Sequence, residues 1–216
     1  MPRPSQQIDQ VLLAAGRELL PGLGCAALSV RALAAQAGVS PGMFHYHFGS
    51  KERYLRTLLA GIYDEMFGAL TEQVALPAAP LERLRTALRL LARFARAQRR
   101  LLARLWTDAL AGEAVARDFF SHHAPRHAGV LLQLVAQAQR DGVLRPQLQP
   151  LAVLAFLLGS VALPLIFVAG LVDAGFEVPG GTAAFDEQVS GDAAIDERID
   201  LALAALSAPS KSRSRR

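Results

Sequence analysis

Residues 28–55 read LSVRALAAQAGVSPGMFHYHFGSKERYL, and no other segment says as much about the architecture of this chain. They predict a helix, a tight turn, a second helix and the start of a third, which is the order of a helix-turn-helix DNA reader. One apolar face is predicted for the first of these helices, made of Val30, Leu33, Ala34 and Ala37. Phe44 and Phe48 are predicted to face inward together from the next helix.

Capping and terminating residues stand at each boundary of this segment. The predicted N-caps, whose hydroxyls accept from a free amide of the following turn, are Ser29, Ser40 and Ser50. Gly38 is predicted to end the first helix in the left-handed conformation, and Gly49 to stop the next. Pro41 occupies a first helical position, where no amide hydrogen is needed. The corners between these helices are therefore expected to be short.

The same stretch closely resembles the DNA-binding domain of the TetR family of bacterial transcriptional regulators. The resemblance covers about the first 55 residues, counting a helix predicted over 6–20. It rests on Ser29, Val30, Leu33, Ala34, Ala37, Gly38, Val39, Ser40, Gly42, Phe44, Phe48, Ser50, Lys51, Glu52 and Leu55. His45 stands where the family usually has Tyr, and Met43 where a small polar residue is common, so no operator sequence is carried over.

The pattern of apolar residues and helix breakers along the chain predicts an all-α fold of nine or ten helices. A three-helix DNA-binding domain is expected at 1–56, and a helical ligand-binding and dimerisation domain at 57–207. Composition agrees, because 52% of the 216 residues are hydrophobic and no stretch alternates as a strand does. The lone Cys25 is expected in the core, and residues 1–10 lack the apolar segment of a signal peptide, so a cytoplasmic protein is predicted.

The predicted DNA contacts surround the second helix of the motif: Ser29, Arg31, Pro41, Gly42, Met43, His45, Tyr46, His47 and Lys51. Arg31 is the candidate for a bidentate guanine contact, and Met43 for a thymine methyl. Lys51 begins the following helix, where an ammonium and free amides together hold a phosphate. The alternative is that all nine are ordinary surface residues.

Further helices are predicted at 50–75, at 81–110 with a break near 98–100, at 113–122 and 125–140 divided by Pro125, at 150–172, and at 193–206. Residues 173–192 are predicted to be mostly loop, and the basic residues 208–216 a disordered tail. Residues 151–172 carry no charge and, at about 33 Å as a helix, are long enough to span a bilayer. Pro164 in mid-span and the non-basic flanks favour a dimer core, and a membrane anchor is the alternative.

Charge is unevenly distributed along the chain, whose net charge is +4. Residues 1–56 carry +3, residues 81–104 carry +7 and residues 151–207 carry −7. One arginine stripe contributes to the second block: Arg85, Arg89, Arg93, Arg96, Arg100 and Arg104. The stripe is interpreted as a solvated face, and the alternatives are that it faces an acidic ligand, the acidic surface of a partner protein or the acidic C-terminal region.

No catalytic motif or phosphate loop is present in the sequence, so an enzyme is not predicted, and no cofactor is implied. His122, His123 and His127 lack the further ligands that a zinc site needs, so no metal is predicted. Candidate lining residues of an apolar ligand pocket are Tyr63, Met66, Phe67, Phe94, Trp106, Phe119, Phe120 and Phe156.

These features predict a one-component regulator. The resemblance implies a homodimeric repressor that binds a near-palindromic double-stranded operator and is released by an apolar or amphipathic small molecule. The alternatives are an activator, a regulator that binds DNA without a ligand, and a membrane-anchored helical protein.

Overall fold

The computed structural model describes residues 4–208. Helices account for almost all of the regular structure in that range, and its one β feature is an isolated bridge between Leu144 and Ser207. The predicted all-α fold is confirmed. Apart from Ala208, the predicted tail lies outside the described residues.

The N-terminal half contains α1 (Pro4–Ala27), α2 (Val30–Gln36), α3 (Pro41–Phe48), α4 (Lys51–Ala75), α5 (Pro80–Ala97) and α6 (Arg99–Leu110). The remainder contains α7 (Ala114–Arg140), α8 (Pro150–Val161), a π-helical turn (Pro164–Val168), α9 (Ala169–Asp173), α10 (Gly181–Phe185), a second π-helical turn (Asp186–Ser190) and α11 (Asp192–Leu206). If Pro150–Asp173 is counted as one helix, the described residues contain ten, as expected.

Two predicted boundaries are wrong because packing outweighs a proline. The first helix does not end at residue 20 but continues through Pro21 to a break at Gly24, whose φ is 75°. Pro125 lies inside α7, which is one helix rather than two. A proline inside a helix removes one hydrogen bond, at a cost of about 3 kcal/mol. Buried side chains on both sides of Pro125, such as Val115 and Val135, offset that cost.

The predicted loop at 173–192 is partly wrong as well. Residues 181–190 are helical, because Phe185 is buried with Ala169 and Val172 and so fixes this segment against α9. The predicted break near Gln98 is confirmed, since Gln98 has φ −105° and ψ 17° between α5 and α6.

Contacts divide the chain into two compact units. The first comprises residues 1–65 and 98–124, and the second comprises 66–97 and 125–216. Residues 98–124 therefore pack with the N-terminal helices although they lie far from them in sequence. The boundary predicted at residue 56 separates DNA binding from ligand binding and dimerisation, not one compact unit from another. It stays a prediction.

One buried ring forms the centre of the first unit. Tyr54 is fully buried, and its ring centroid lies 5.1 Å from that of Phe44 and 4.9 Å from that of Phe48. Its hydroxyl donates to the Leu12 carbonyl at 2.6 Å, and burial raises the pKa of this phenol. Tyr54 thereby joins α3 and α4 to α1.

A ladder of ion pairs joins α5 to α11 in the second unit. The pairs are Arg85–Asp200 at 2.8 Å, Arg89–Asp196 at 2.6 Å, Arg93–Asp192 at 3.5 Å and Arg96–Asp192 at 2.9 Å. The arginine stripe is therefore not simply solvated: its α5 part is occupied by the acidic C-terminal helix of the same chain. Such half-exposed pairs contribute about 0.2–1 kcal/mol each. They therefore fix the alignment of α11 along α5 more than they stabilise the fold.

We expect Gly16→Ala to destabilise the first unit. A Cβ at Gly16 would lie 2.0 Å from the Tyr54 hydroxyl and 2.7 Å from a Leu58 methyl, which forces the buried ring to move. Overpacking of this kind costs about 1–3 kcal/mol. Urea denaturation followed by circular dichroism measures the loss.

Gly22→Ala is the matched control, because Gly22 lies in the same helix and a Cβ there meets nothing within 4 Å. It should be neutral or stabilise by up to about 1 kcal/mol. Equal effects of the two substitutions would show that Tyr54 is not packed against Gly16.

Candidate nucleic-acid interface

The α3 helix has a buried side and an exposed side. Phe44 and Phe48 are buried, while Tyr46 is 80% exposed. The α3 N-terminus also exposes Pro41 and Gly42, and His45 is exposed beside Tyr46. Arg31 is exposed in the first turn of α2. These five residues are free to meet an external surface, as a DNA-reading face requires.

Three of the other residues predicted to contact DNA are at least partly engaged within the chain. His47 Nδ1 lies 2.6 Å from the Asp9 carboxylate of α1, and its side chain is only 5% exposed. Ser29 caps α2, accepting the Ala32 amide at 3.1 Å. Lys51 donates to the Cys25 and Ala26 carbonyls at 3.1 Å each.

Met43 is half-buried on α3. Of the exposed residues, His45 has Nδ1 3.2 Å from the Gly49 carbonyl, which holds its ring against the end of α3. All nine DNA contacts stay predictions, but the structure separates an exposed group from a group with internal roles.

The predicted caps are only partly confirmed. Ser50 accepts the Arg53 amide at 3.1 Å, as Ser29 does for α2, and Gly38 and Gly49 have φ of 67° and 73°. Ser40 occupies the N-cap position, but its hydroxyl makes no cap hydrogen bond. Pro41 has no amide to offer, and the Met43 amide already donates to the Ser40 carbonyl at 3.0 Å.

A polar junction at the end of α1 orients the helices that carry this face. The Cys25 amide donates to Asp108 Oδ2 of α6 at 2.7 Å, and Asp108 is 5% exposed. Arg104 Nε lies 3.1 Å from the other carboxylate oxygen. Lys51 binds the opposite side of the same turn, so α4 and α6 both hold the chain where it leaves α1.

Gly24 permits this junction to form. Its φ of 75° is strained for any residue with a side chain, and a Cβ there would lie 2.1 Å from Arg104 Nε. The Cys25 thiol is buried, and desolvation together with the carboxylates of Glu113 and Asp108 raises the pKa of Cys25 to about 12. The thiol is therefore protonated and is a core group, as expected.

Sequence reasoning did not identify Asp108. A signal was present, because Asp108 follows Leu101 and Leu105 at helical spacing on the buried face of α6. A carboxylate on an apolar face requires a partner, and the amide at the end of α1 supplies it.

The predicted pocket residues fall into two groups. Four lie in the first unit and form a chain of ring contacts: Tyr63–Phe119 at 6.3 Å, Phe119–Phe120 at 5.3 Å and Trp106–Phe120 at 4.8 Å. The other four, which belong to the second unit, are Met66, Phe67, Phe94 and Phe156. Of these, Phe67 lies under the Arg126 guanidinium at 4.2 Å, and Phe156 is exposed. The eight residues remain predictions as ligand contacts.

A pocket of about 270 Å³ adjoins the first group. It lies between α4 and α7 and is lined by Arg56, Leu59, Ala60, Val115, Asp118, Phe119, His122 and His123. Phe119 is the only predicted residue among these. Within the described residues, no group of three or more His, Cys, Asp or Glu side chains is placed to hold a metal ion.

The segment that carries the exposed face is similar to known regulatory proteins. Residues 12–56 match the model of the family described as bacterial regulatory proteins, tetR family. The N-terminal segment is therefore similar to the tetR family. It is also 41% identical over 61 residues to the HTH-type transcriptional repressor KstR2 of Mycobacterium tuberculosis. That match covers 28% of this chain and 30% of the repressor.

Solved structures extend the likeness from the tetR-family segment to almost the whole fold. The ketosteroid transcriptional regulator KstR2 of M. tuberculosis superposes with a TM-score of 0.69 at 20% identity, covering 93% of this chain and 95% of that one. The regulator FadR from Bacillus subtilis, solved in complex with stearoyl-CoA, gives 0.71 at 14% identity, covering 91% and 98%. At these identities the likeness shows the fold alone.

We expect Asp108→Ala to weaken the junction beneath the tetR-family segment. The substitution leaves the buried Cys25 amide without an acceptor, at a cost of about 1–3 kcal/mol. Asp108→Asn keeps an acceptor oxygen and should cost less. Urea denaturation and the hydrogen-exchange rate of the Cys25 amide measure both effects.

Thr107→Ala is the control, since Thr107 is the exposed neighbour of Asp108 on α6. An Asp108→Ala protein with the stability and Cys25 protection of the Thr107→Ala protein would contradict the assigned contact.

Proposed function

We propose that this chain is a homodimeric transcriptional repressor that reads a near-palindromic operator in double-stranded DNA and is released by a small apolar or amphipathic molecule. One observation carries the proposal: the exposed face of α3 stands on a fully buried aromatic base within a tetR-family segment. A fixed helix with exposed polar and aromatic groups fits a major groove. The same fold serves the transcriptional regulators named above.

An uncovered apolar face supports the homodimer. Only 28% of the most apolar 18-residue stretch of Pro150–Asp173 is buried within the chain. Its large exposed side chains are Leu151, Phe156, Leu163, Phe167, Val168 and Leu171, and Leu201 is 66% exposed on the adjoining α11. Soluble monomers rarely leave so large an apolar patch in water. A second copy would cover it through an isologous contact.

The same helix is long and apolar enough to cross a membrane, so membrane anchoring is a second candidate. The α11 helix argues against it. It packs along α8 and bears Asp192, Asp196 and Asp200, which pair with the arginines of α5. Immersion of the apolar helix would place this charged ladder at the edge of the hydrocarbon, at considerable cost. A cytoplasmic dimer avoids that cost.

Release by a ligand is proposed from the fold and from the pocket beside Phe119. The B. subtilis FadR structure contains stearoyl-CoA, an amphipathic molecule, within the same fold. A ligand releases DNA only if it binds more tightly to the state of the dimer that does not fit DNA than to the state that does. An activator, or a regulator that needs no ligand, would use the same DNA-reading face.

We expect Arg31→Ala and Tyr46→Ala to weaken operator binding. Loss of a base contact by Arg31 should cost about 1–3 kcal/mol and relax the preference at one base pair. Arg117→Ala is the charge-matched control, since Arg117 is exposed on α7. Titrations of labelled operator at two salt concentrations measure the affinities, and equal losses in all three variants would contradict the assigned face.

We expect Phe156→Glu combined with Leu201→Glu to produce monomers that lose operator affinity. Both side chains are exposed in the single chain, so each variant chain should still fold. In the dimer, the two glutamates would bury charges without partners at the proposed contact. Leu110→Glu is the control, because Leu110 is 77% exposed on α6 in the other unit. Analytical ultracentrifugation gives the mass, and an unchanged dimer in the double variant would place the interface elsewhere.

A further inference from the structure

The pocket between α4 and α7 has an apolar base and a charged rim. Leu59, Val115 and Phe119 are each less than one-tenth exposed and supply most of the wall. The Arg56 guanidinium and the Asp118 carboxylate stand at the rim, with Arg56 Nη1 2.5 Å from Asp118 Oδ2. Both are accessible, because 50% of the Arg56 side chain and 42% of the Asp118 side chain are exposed. A pocket of this kind fits a molecule with an apolar body and one charged end.

Arg56 offers the pocket a partner for a negative end. The pocket is lined by one guanidinium, that of Arg56, two imidazoles, those of His122 and His123, and a single carboxylate, that of Asp118. A guanidinium is the preferred protein partner of a carboxylate because its fork of N–H donors matches two oxygens. At about 270 Å³ the pocket is slightly smaller than most ligand clefts, which measure roughly 300–1,000 Å³, and this suits a chain of medium length.

We propose that this pocket binds a medium-chain amphipathic carboxylate whose head group replaces Asp118 on Arg56. The proposal deepens the proposed function, on which it rests, by assigning the ligand class and its site. The exchange is carboxylate for carboxylate, and the released Asp118 is exposed enough to be hydrated. The head group therefore selects the ligand, while burial of its apolar chain against the wall supplies the affinity.

The position of Arg56 connects this exchange to DNA binding. Arg56 lies in the second turn of α4, which follows α3 after the single corner at Gly49 and Ser50. The Arg56–Asp118 pair is thus a charged link between α7 and the start of α4. A ligand that takes Arg56 removes that link and occupies the space beside Leu59, so it favours a different placement of α4.

The arginine stripe does not supply this site. Its α5 members are paired with Asp192, Asp196 and Asp200, and Arg104 lies against Asp108. Arg56 differs, because its partner Asp118 stands at the mouth of an apolar pocket. The candidate partner of an anionic ligand is therefore Arg56 of α4 and not the arginine stripe.

The test uses the full chain without DNA, titrated by calorimetry with decanoic acid, 1-decanol and decyltrimethylammonium below their micellar concentrations. Trp106, the only Trp, reports the location through Phe120 and Phe119. We expect the acid to bind at least tenfold more tightly than the alcohol and to change Trp106 fluorescence. Equal affinities, tighter binding of the cation, or no response to any probe would overturn the inference.

Four variants sharpen the result. Arg56→Gln should reduce the affinity for the acid to that for the alcohol, whereas Arg53→Gln, the control one turn earlier on α4, should not. Asp118→Asn should tighten the acid several-fold and leave the alcohol unchanged, because it removes the internal competitor; a purely structural ion pair would give the opposite. Ala60→Phe should fill the pocket and abolish binding of both.

Weaker acid binding by Asp118→Asn, or full binding by Ala60→Phe, would overturn the site. Thermal melting confirms that each variant is folded. Operator retention is measured separately, so the two proposals fail differently. A chain that retains DNA but ignores the acid contradicts this inference alone, and one that binds the acid but retains no DNA contradicts the proposed function.

Discussion

The Tyr54 ring is the contact on which the position of α3 depends. It lies under Phe44 and Phe48, and its hydroxyl reaches across to the Leu12 carbonyl through the space that Gly16 leaves open. A helix of eight residues is far too short to be stable alone. The exposed face of α3 is therefore only as well placed as the aromatic group beneath it. This places the demand for precise packing in the core and leaves the outward residues of α3 free to vary.

A second constraint links this face to the rest of its unit. The turn that ends α1 is held from one side by Lys51 and from the other by Asp108, with Arg104 lying against Gly24. The unit that carries α3 thus includes α6 and the first part of α7. A change at the pocket between α4 and α7 arises inside that unit, where Arg56 lies in the second turn of α4. Under the proposed function, no signal needs to travel far.

The helix-turn-helix was predictable because its determinants are local. Ser29, Gly38, Gly49 and Ser50 each act on the turn in which they stand, so spacing alone identifies them. The continuity of α7 through Pro125 was not predictable, since it depends on burial that only the folded chain provides. The Asp108–Cys25 contact joins residues 83 apart, and no local pattern identifies such a partner. The pairing of the arginine stripe with α11 was one of three open alternatives. Opposite charges show that two segments could pair, but not that the fold brings them together.

Two copies of the chain must act together if the exposed apolar face and the DNA-reading face serve one purpose. Incubating the purified protein with random double-stranded DNA and sequencing the retained fragments tests this in a single experiment. We expect an enriched sequence with two inverted half-sites whose centres lie one helical turn, about 34–36 Å, or a multiple of it apart. Retained DNA with no enriched sequence, or with one unrepeated half-site, would contradict a dimer that reads an operator through α3.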